Sequence, residues 1–402
     1  MLDRTTTLAN MLAMPMTPTS APTPAPPPAR RTPRDADRLT VDRAIAELRR
    51  GGMVAVRAGP ERDRLALVIA AEMTSGDTLA QLRALAGSEP VMAVTRNRAA
   101  AFGSGGSAPV VTLALPAGTT VERILDLADP TRTGNLDGAT DLATLSEPSV
   151  GPAAVGARLT KLARLIPAAL VAVVPGLASD RLEAWAHQHA VLLVDRVAVD
   201  GYSANVAKRL SRAAAARVPL ADAEDCEVIA FRPADGGTEH VVIRVGQVNT
   251  DQPVLVRLHS QCLTGDLLGS LRCDCGDQLR GAIRAIASAG GGILVYLAQE
   301  GRDIGLINKL KAYSLQDLGA DTVDANTMLG FDDDERVYHP AAEMLRQLGV
   351  DRVRLMTNNP AKIEQLAACG IAVVERVPHA FQPNQHNQHY LRAKADRSGH
   401  LL

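Results

Sequence analysis

Pro253-Val-Leu-Val-Arg-Leu-His-Ser-Gln-Cys262-Leu-Thr-Gly-Asp-Leu-Leu-Gly-Ser-Leu-Arg-Cys273-Asp-Cys275-Gly-Asp-Gln278 is the stretch on which the reading of this 402-residue chain turns. Its first seven residues are mostly apolar and predict a strand over Pro253–His259. The residues beyond the last cysteine predict a helix over 276–289, and Gly-Ile-Leu-Val-Tyr-Leu predicts a second strand over 292–297. Strand, helix and strand make this half a mixed α/β unit. Cys262, Cys273 and Cys275 fall in the connection between the first strand and the helix. Three clustered thiolates are a soft donor set suited to zinc. A zinc held by three protein ligands keeps a fourth position for water, the arrangement of a catalytic site. The alternatives are three packed thiols, or a closed structural site completed by a distant residue.

The same alternation continues outward. Strands are expected at Glu227–Arg232, His240–Gly246, 352–357 and 371–376, and helices at 304–318, 338–348 and 360–368. Met356-Thr357-Asn-Asn-Pro360-Ala-Lys362 reads as a strand end, a turn and a helix start, because Pro suits the first helical turn. Amides and the positive end of a helix favour an anion, and Thr357 and Lys362 add a hydroxyl and a charge. Gln299-Glu300-Gly301-Arg302 puts a flexible glycine beside a charge pair, and Phe331-Asp-Asp-Asp334-Glu-Arg336 is an acidic run ending in arginine. Taken singly, the first reads as a turn and the second as a solvated loop.

Taken together and in order, these clusters resemble GTP cyclohydrolase II, from about Val241 to Leu402, with the closing Asn-Gln-His-Tyr-Leu and Ser-Gly-His-Leu-Leu included. The resemblance implies a zinc enzyme that opens the imidazole ring of GTP and releases formate and pyrophosphate. It implies one zinc per chain on Cys262, Cys273 and Cys275, and magnesium on the triphosphate. Asp334 matches a proton acceptor, Arg336 a nucleophile or charge stabiliser, and Tyr313 a catalytic tyrosine. GTP contacts fall on Arg257, Leu258, His259, Ser260, Gln261, Gln278, Glu300, Gly301, Arg302, Thr322, Thr357 and Lys362. Gln261 stands where the family usually has glutamate.

The first half reads as a second domain over 38–205, an α+β alternation. It opens with a helix over 39–50 and a strand at Met53–Val56. Further strands are read at Leu65–Ala71, Val91–Thr95, Ala168–Val174 and Val191–Val194, and helices at Ser75–Leu85, Thr119–Leu127 and Ser179–His189. The order resembles 3,4-dihydroxy-2-butanone 4-phosphate synthase. That family carries a cluster of carboxylates for magnesium after its first strand. Here the place reads Ala58-Gly-Pro-Glu-Arg-Asp-Arg-Leu-Ala66, where Arg62 and Arg64 oppose a hard cation. The domain is therefore expected to lack synthase chemistry. The rivals are a bifunctional enzyme and a non-catalytic nucleotide-binding regulator.

Residues 15–35 are rich in Pro, Thr and Ala, so 1–37 is expected to be disordered, and 206–225 is expected to be a linker before a domain over 226–402. Net charge is −1, which gives no basis for binding a nucleic-acid polymer. No apolar run reaches membrane-spanning length. Five cysteines, three of them clustered, point to a reducing cytoplasmic setting. GTP is the expected partner, and a homodimer is left open.

Overall fold

The computed structural model describes residues 33–58, 64–104, 106–132 and 139–381. Among the described residues no helix is long and apolar enough to cross a membrane. The core of the substituted Gly59–Asp63 loop, the Pro-rich segment up to residue 32, and the closing motifs beyond 381 lie outside them.

Two seven-stranded sheets divide the chain. The first contains β1 Val54–Ala58, β2 Arg64–Ala70, β3 Val91–Thr95, β4 Val110–Ala114, β5 Thr144–Glu147, β6 Ala168–Val173 and β7 Leu192–Asp195, in the order β5-β4-β3-β6-β2-β1-β7. Its neighbours are antiparallel except β1 and β7. β2 shows why helices cover both faces. Leu65, Leu67 and Ile69 point to one core and Ala66, Val68 and Ala70 to the other, and all six are buried. The small residues admit the helix Pro152–Leu162, whose Gly156 lies against the sheet. A Cβ added there would meet Val68 Cγ1 at 3.2 Å.

The second sheet contains β8 Ser211–Arg217, β9 Cys226–Arg232, β10 His240–Gly246, β11 Val254–Ser260, β12 Gly291–Leu297, β13 Arg352–Met356 and β14 Ala372–Val377, ordered β14-β13-β11-β12-β10-β9-β8. β10, β9 and β8 form an antiparallel flank. β12, β11, β13 and β14 run parallel. The helix Cys275–Ser288 packs Ala282, Ile283 and Ile286 on one face. The helices His339–Gln347 and Pro360–Ala368 cover the other.

Several boundaries differ from those expected. The first helix is Pro33–Arg49, starting inside the segment expected to be disordered, with Pro33 in its first turn. Ser211–Arg217, within the expected linker, pairs as an edge strand with β9. The expected helix over Ser179–His189 is a short turn followed by Leu182–Gln188. A helix at Thr322–Met328, capped by the Asp321 side chain, was not anticipated.

Candidate functional site

The chain leaves β11 for β12 on one side and later returns to β13 on the other. In parallel sheets such a reversal opens a crevice beyond the carboxyl ends of the strands. Here the crevice is a cleft of about 1200 Å³, its open mouth included. Three connections build it: residues 260–275 after β11, 298–305 after β12 and 357–362 after β13.

The first connection gathers the cysteines. Cys262 caps a wide helical turn, its sulfur accepting from Gly265 N at 3.3 Å, while Cys273 and Cys275 stand at the start of the helix Cys275–Ser288. The three sulfurs lie within 4.8 Å of one another, and Cys262 Sγ is 3.8 Å from Cys273 Sγ. Tetrahedral bonds of about 2.3 Å to one zinc place two sulfurs roughly 3.8 Å apart, so the donor set fits that ion. Gly265 fills the middle of the cluster: a Cβ there would lie 2.7 Å from Cys273 Sγ and 3.1 Å from Cys262 Sγ. Asp266 ties the loop to the sheet. It accepts from Cys262 N at 2.9 Å and Tyr296 Oη at 2.8 Å, and pairs with His259 Nε2 at 3.0 Å. His259 is thereby engaged by a carboxylate rather than by the sulfurs, and burial holds its pKa down.

Hydrogen bonds from Cys273 and Cys275, with help from Lys309, favour the Cys262 thiolate. Lys309 Nζ reaches Cys262 Sγ at 3.1 Å, Thr264 Oγ1 at 2.9 Å and Glu300 Oε1 at 2.8 Å. Burial opposes the Lys309 charge, but Glu300 and Cys262 outweigh it and raise its pKa. Glu300 also accepts from Leu263 N at 2.7 Å. Glu300 thus sits behind the cleft as a buried brace rather than on its wall. Tyr313, one turn beyond Lys309 on the helix Leu306–Asp317, brings its hydroxyl to 3.5 Å from Thr264 Oγ1.

The opposite wall is cationic. Asn359 caps the helix Pro360–Ala368 through Ala361 N at 2.9 Å, and Thr357, Asn358, Asn359 and Lys362 line the cleft. Lys362 Nζ donates to Leu258 O at 3.0 Å, while the Leu258 side chain packs in the core. Arg257 is buried, donates to Met356 O at 2.9 Å and bonds Gln278, and burial lowers its pKa to about 10. Arg257 Nε and Ser260 Oγ are buried with no hydrogen-bond partner among the described residues. Arg302 (φ 60°) reaches Asp333 O at 2.8 Å and the Asp333 carboxylate. Arg336 Nε donates to Asp334 Oδ1 at 2.7 Å, and its Nη2 also bonds that carboxylate. Burial would raise the Asp334 pKa, but Arg336 overcomes this and holds it low.

The structure therefore gathers Arg257, His259, Ser260, Gln261, Gln278, Gly301, Arg302, Thr322, Thr357 and Lys362 around one cleft, with the three cysteines, Tyr313 and Arg336. Leu258, Glu300 and Asp334 stand just behind its wall. Sequence reasoning missed Lys309, Arg272, Gln316, Asn326, Asn358, Asn359 and His379, which also line it. The one legible signal was helical spacing. Lys309 precedes Tyr313 by four residues and so shares its face.

Comparison with known proteins bears on the same region. Residues 211–378 match the family described as GTP cyclohydrolase II. A GTP cyclohydrolase-2 of Azospirillum brasilense is 53% identical over 367 residues, 90% of this chain and 94% of that protein. A GTP cyclohydrolase-2 of Cronobacter sakazakii is 52% identical over 194 residues, 48% of this chain and 98% of that protein. Among solved structures, a two-domain 3,4-dihydroxy-2-butanone 4-phosphate synthase from A. baumannii aligns over 85% of this chain and 99% of that one, with 16% identity and a TM-score of 0.35.

Proposed function

The chain belongs to the GTP cyclohydrolase II family, and on that premise we propose how its residues divide the reaction. The enzyme is a hydrolase of riboflavin biosynthesis that opens the imidazole ring of GTP, with release of formate and pyrophosphate. The assignment rests on one observation. Three close sulfurs and a wall of arginines, a lysine and a helix amino end face the same cleft.

Cys262, Cys273 and Cys275 hold zinc. When bound, the ion supplies an acidified water for attack on carbon 8 of the purine. Gly265 and Asp266 keep the sulfurs at their separation, and Lys309 neutralises thiolate charge beside them. Tyr313 orients the water or the purine. The triphosphate, carrying magnesium, lies toward Thr357, Lys362 and the helix amino end, with Arg302 beside it. Arg336 stabilises charge on the α-phosphoryl oxygens as the pyrophosphate leaves. Its two bonds to Asp334 hold the guanidinium in place, and the Asp334 carboxylate accepts the proton lost by the water that attacks the α-phosphorus. Gln261, neutral where glutamate is usual, acts through its backbone.

The domain before β8 is proposed to lack synthase chemistry, because arginines interrupt its acidic loop. The deciding experiment measures zinc, formate and pyrophosphate separately. Cys273→Ser should lose metal and formate release. Arg336→Ala should keep metal and lose pyrophosphate release. Full formate production by metal-free protein would overturn the zinc assignment, and normal turnover by Arg336→Ala would overturn that of the arginine.

A further inference from the structure

We propose that the first domain is a positioning element for the reaction: Lys161 and Arg164, at the end of the helix Pro152–Leu162, hold the two loops that carry Arg336 and Arg302. The inference rests on the roles given above to those arginines.

The acidic run 332–335 is divided among three cations. Lys161 Nζ bonds Asp332 Oδ2 and Glu335 Oε1, each at 2.7 Å. The two residues between them turn the other way, Asp333 to Arg302 and Asp334 to Arg336. Glu335 also accepts from Asp332 N at 2.8 Å, which closes the turn that Lys161 grips. The backbone leading into it is held from the same domain. Thr95 Oγ1 donates to Gly330 O at 2.5 Å, Asn97 Nδ2 to Phe331 O at 2.7 Å and Arg98 Nη1 to Met328 O at 3.3 Å. One domain thus fixes the outer side of a loop whose inner side bears the cleft arginine and its carboxylate.

The second loop is held by Arg164. Its Nη2 donates to Ala298 O at 3.0 Å and Asp303 Oδ1 at 2.9 Å, and its carbonyl accepts from Asn308 Nδ2 at 2.9 Å. Four non-glycine residues have positive φ among those described. Three of them meet here: Arg164 at 56°, Arg302 at 60° and Asp303 at 76°. Left-handed backbone at residues with a Cβ is strained and persists only where its surroundings determine it. Strain on both sides of one contact is what a built positioning joint requires. A third tie reaches the helix of Lys309 and Tyr313, whose Lys311 bonds Glu72 at 2.9 Å and Asp129 at 3.0 Å. Cys262, by contrast, is held by bonds within its own loop, to Asp266 and Gly265.

The test uses the full-length zinc-loaded enzyme. Lys161→Met and Arg164→Met should each lower kcat about 10- to 100-fold, the scale of a displacement near 1 Å in reacting groups. KM for GTP should change less, zinc content should stay at the parent value, and pyrophosphate release should fall with formate. Lys161→Arg, which keeps the charge, should recover most of the loss. Asn97→Ala removes one bond to the loop backbone and should lower kcat by a smaller factor at unchanged Tm. If Lys161→Met and Arg164→Met turn over within twofold of the parent while Arg336→Ala is inactive, the positioning inference is wrong and the reading of Arg336 stands. If Arg336→Ala turns over normally, that reading fails and takes the inference with it. If both domain variants lose zinc or fold while Asn97→Ala keeps the full kcat, the contact is structural and the inference is again wrong.

Discussion

Gly265→Ala tests the metal site at its centre, because the added methyl would point into the cluster. Its carbon would lie 2.7 Å from Cys273 Sγ, 2.9 Å from Cys275 Cβ and 3.1 Å from Cys262 Sγ. Ordinary non-bonded contacts between such atoms begin near 3.5–4.0 Å, so the overlap is about 1 Å against three atoms at once. The backbone offers no other penalty, since Gly265 is not among the residues of positive φ. Alanine also keeps the N–H that bonds Cys262 Sγ at 3.3 Å. The methyl must therefore be accommodated by spreading sulfurs now 3.8 Å apart. Overpacking of this kind costs about 1–3 kcal/mol. Taken from metal binding, that is roughly a 5- to 150-fold weaker zinc affinity. The assay is competition for zinc against a chromophoric chelator, with formate release at saturating zinc as a second reading. Parent-like zinc affinity and formate release in Gly265→Ala would refute the claim that these three sulfurs hold the ion in this geometry.

Three further outcomes follow from the same contacts. Lys309→Met leaves Glu300 buried without its cation, and breaking such a pair costs about 3–5 kcal/mol; a urea midpoint within error of the parent would contradict the brace described here. Burial lifts the Asp303 carboxyl to about 6 against the pull of Arg164, so its contribution to stability is full below the unfolded value of about 4 and is lost as pH rises through about 6. Asp303→Asn should accordingly gain on the parent in urea midpoint between pH 4 and 7, and parallel profiles would rule that out. The full-length protein should form no 3,4-dihydroxy-2-butanone 4-phosphate from ribulose 5-phosphate with magnesium, and product detected by mass spectrometry would restore synthase chemistry to the first domain.

The second half was the more legible because its signals are local. Pro360 with Asn359 marks a helix start by steric rule, and the helix runs Pro360–Ala368 as read. Strands β11 and β12 are apolar runs bounded by polar loops, and both were found. The helix Pro152–Leu162 leaves no periodic signal in the sequence, for a physical reason. Most of its residues are buried, among them Ala153, Ala154, Val155, Gly156, Ala157 and Leu159, so no polar face marks a period of 3.6. The strand Ser211–Arg217 is exposed along its length and alanine-rich, and only its pairing with β9 makes it a strand. Apart from its spacing from Tyr313, nothing local marks Lys309, because its partners, Glu300 and Cys262, lie nine and 47 residues away.

The acidic run 332–335 shows how far a local rule carries. Four consecutive carboxylates read as a solvated loop, since nothing in the neighbouring sequence can neutralise them all. Folding supplies the cations from three places: Lys161 from the first domain, Arg302 from the loop after β12, and Arg336 from the end of the run itself. Each cation comes from a different part of the chain, and the loop conformation depends on all three being in register. Two of them line the cleft where GTP is proposed to bind, and the third lies in a different domain. A triphosphate placed beside Arg302 and Arg336 competes with Asp333 and Asp334 for the same guanidinium groups. The carboxylates must then yield or share their partners, while Lys161 retains Asp332 and Glu335. The loop can thus exchange its inner ion pairs for substrate while Lys161, in the other domain, keeps its outer anchor.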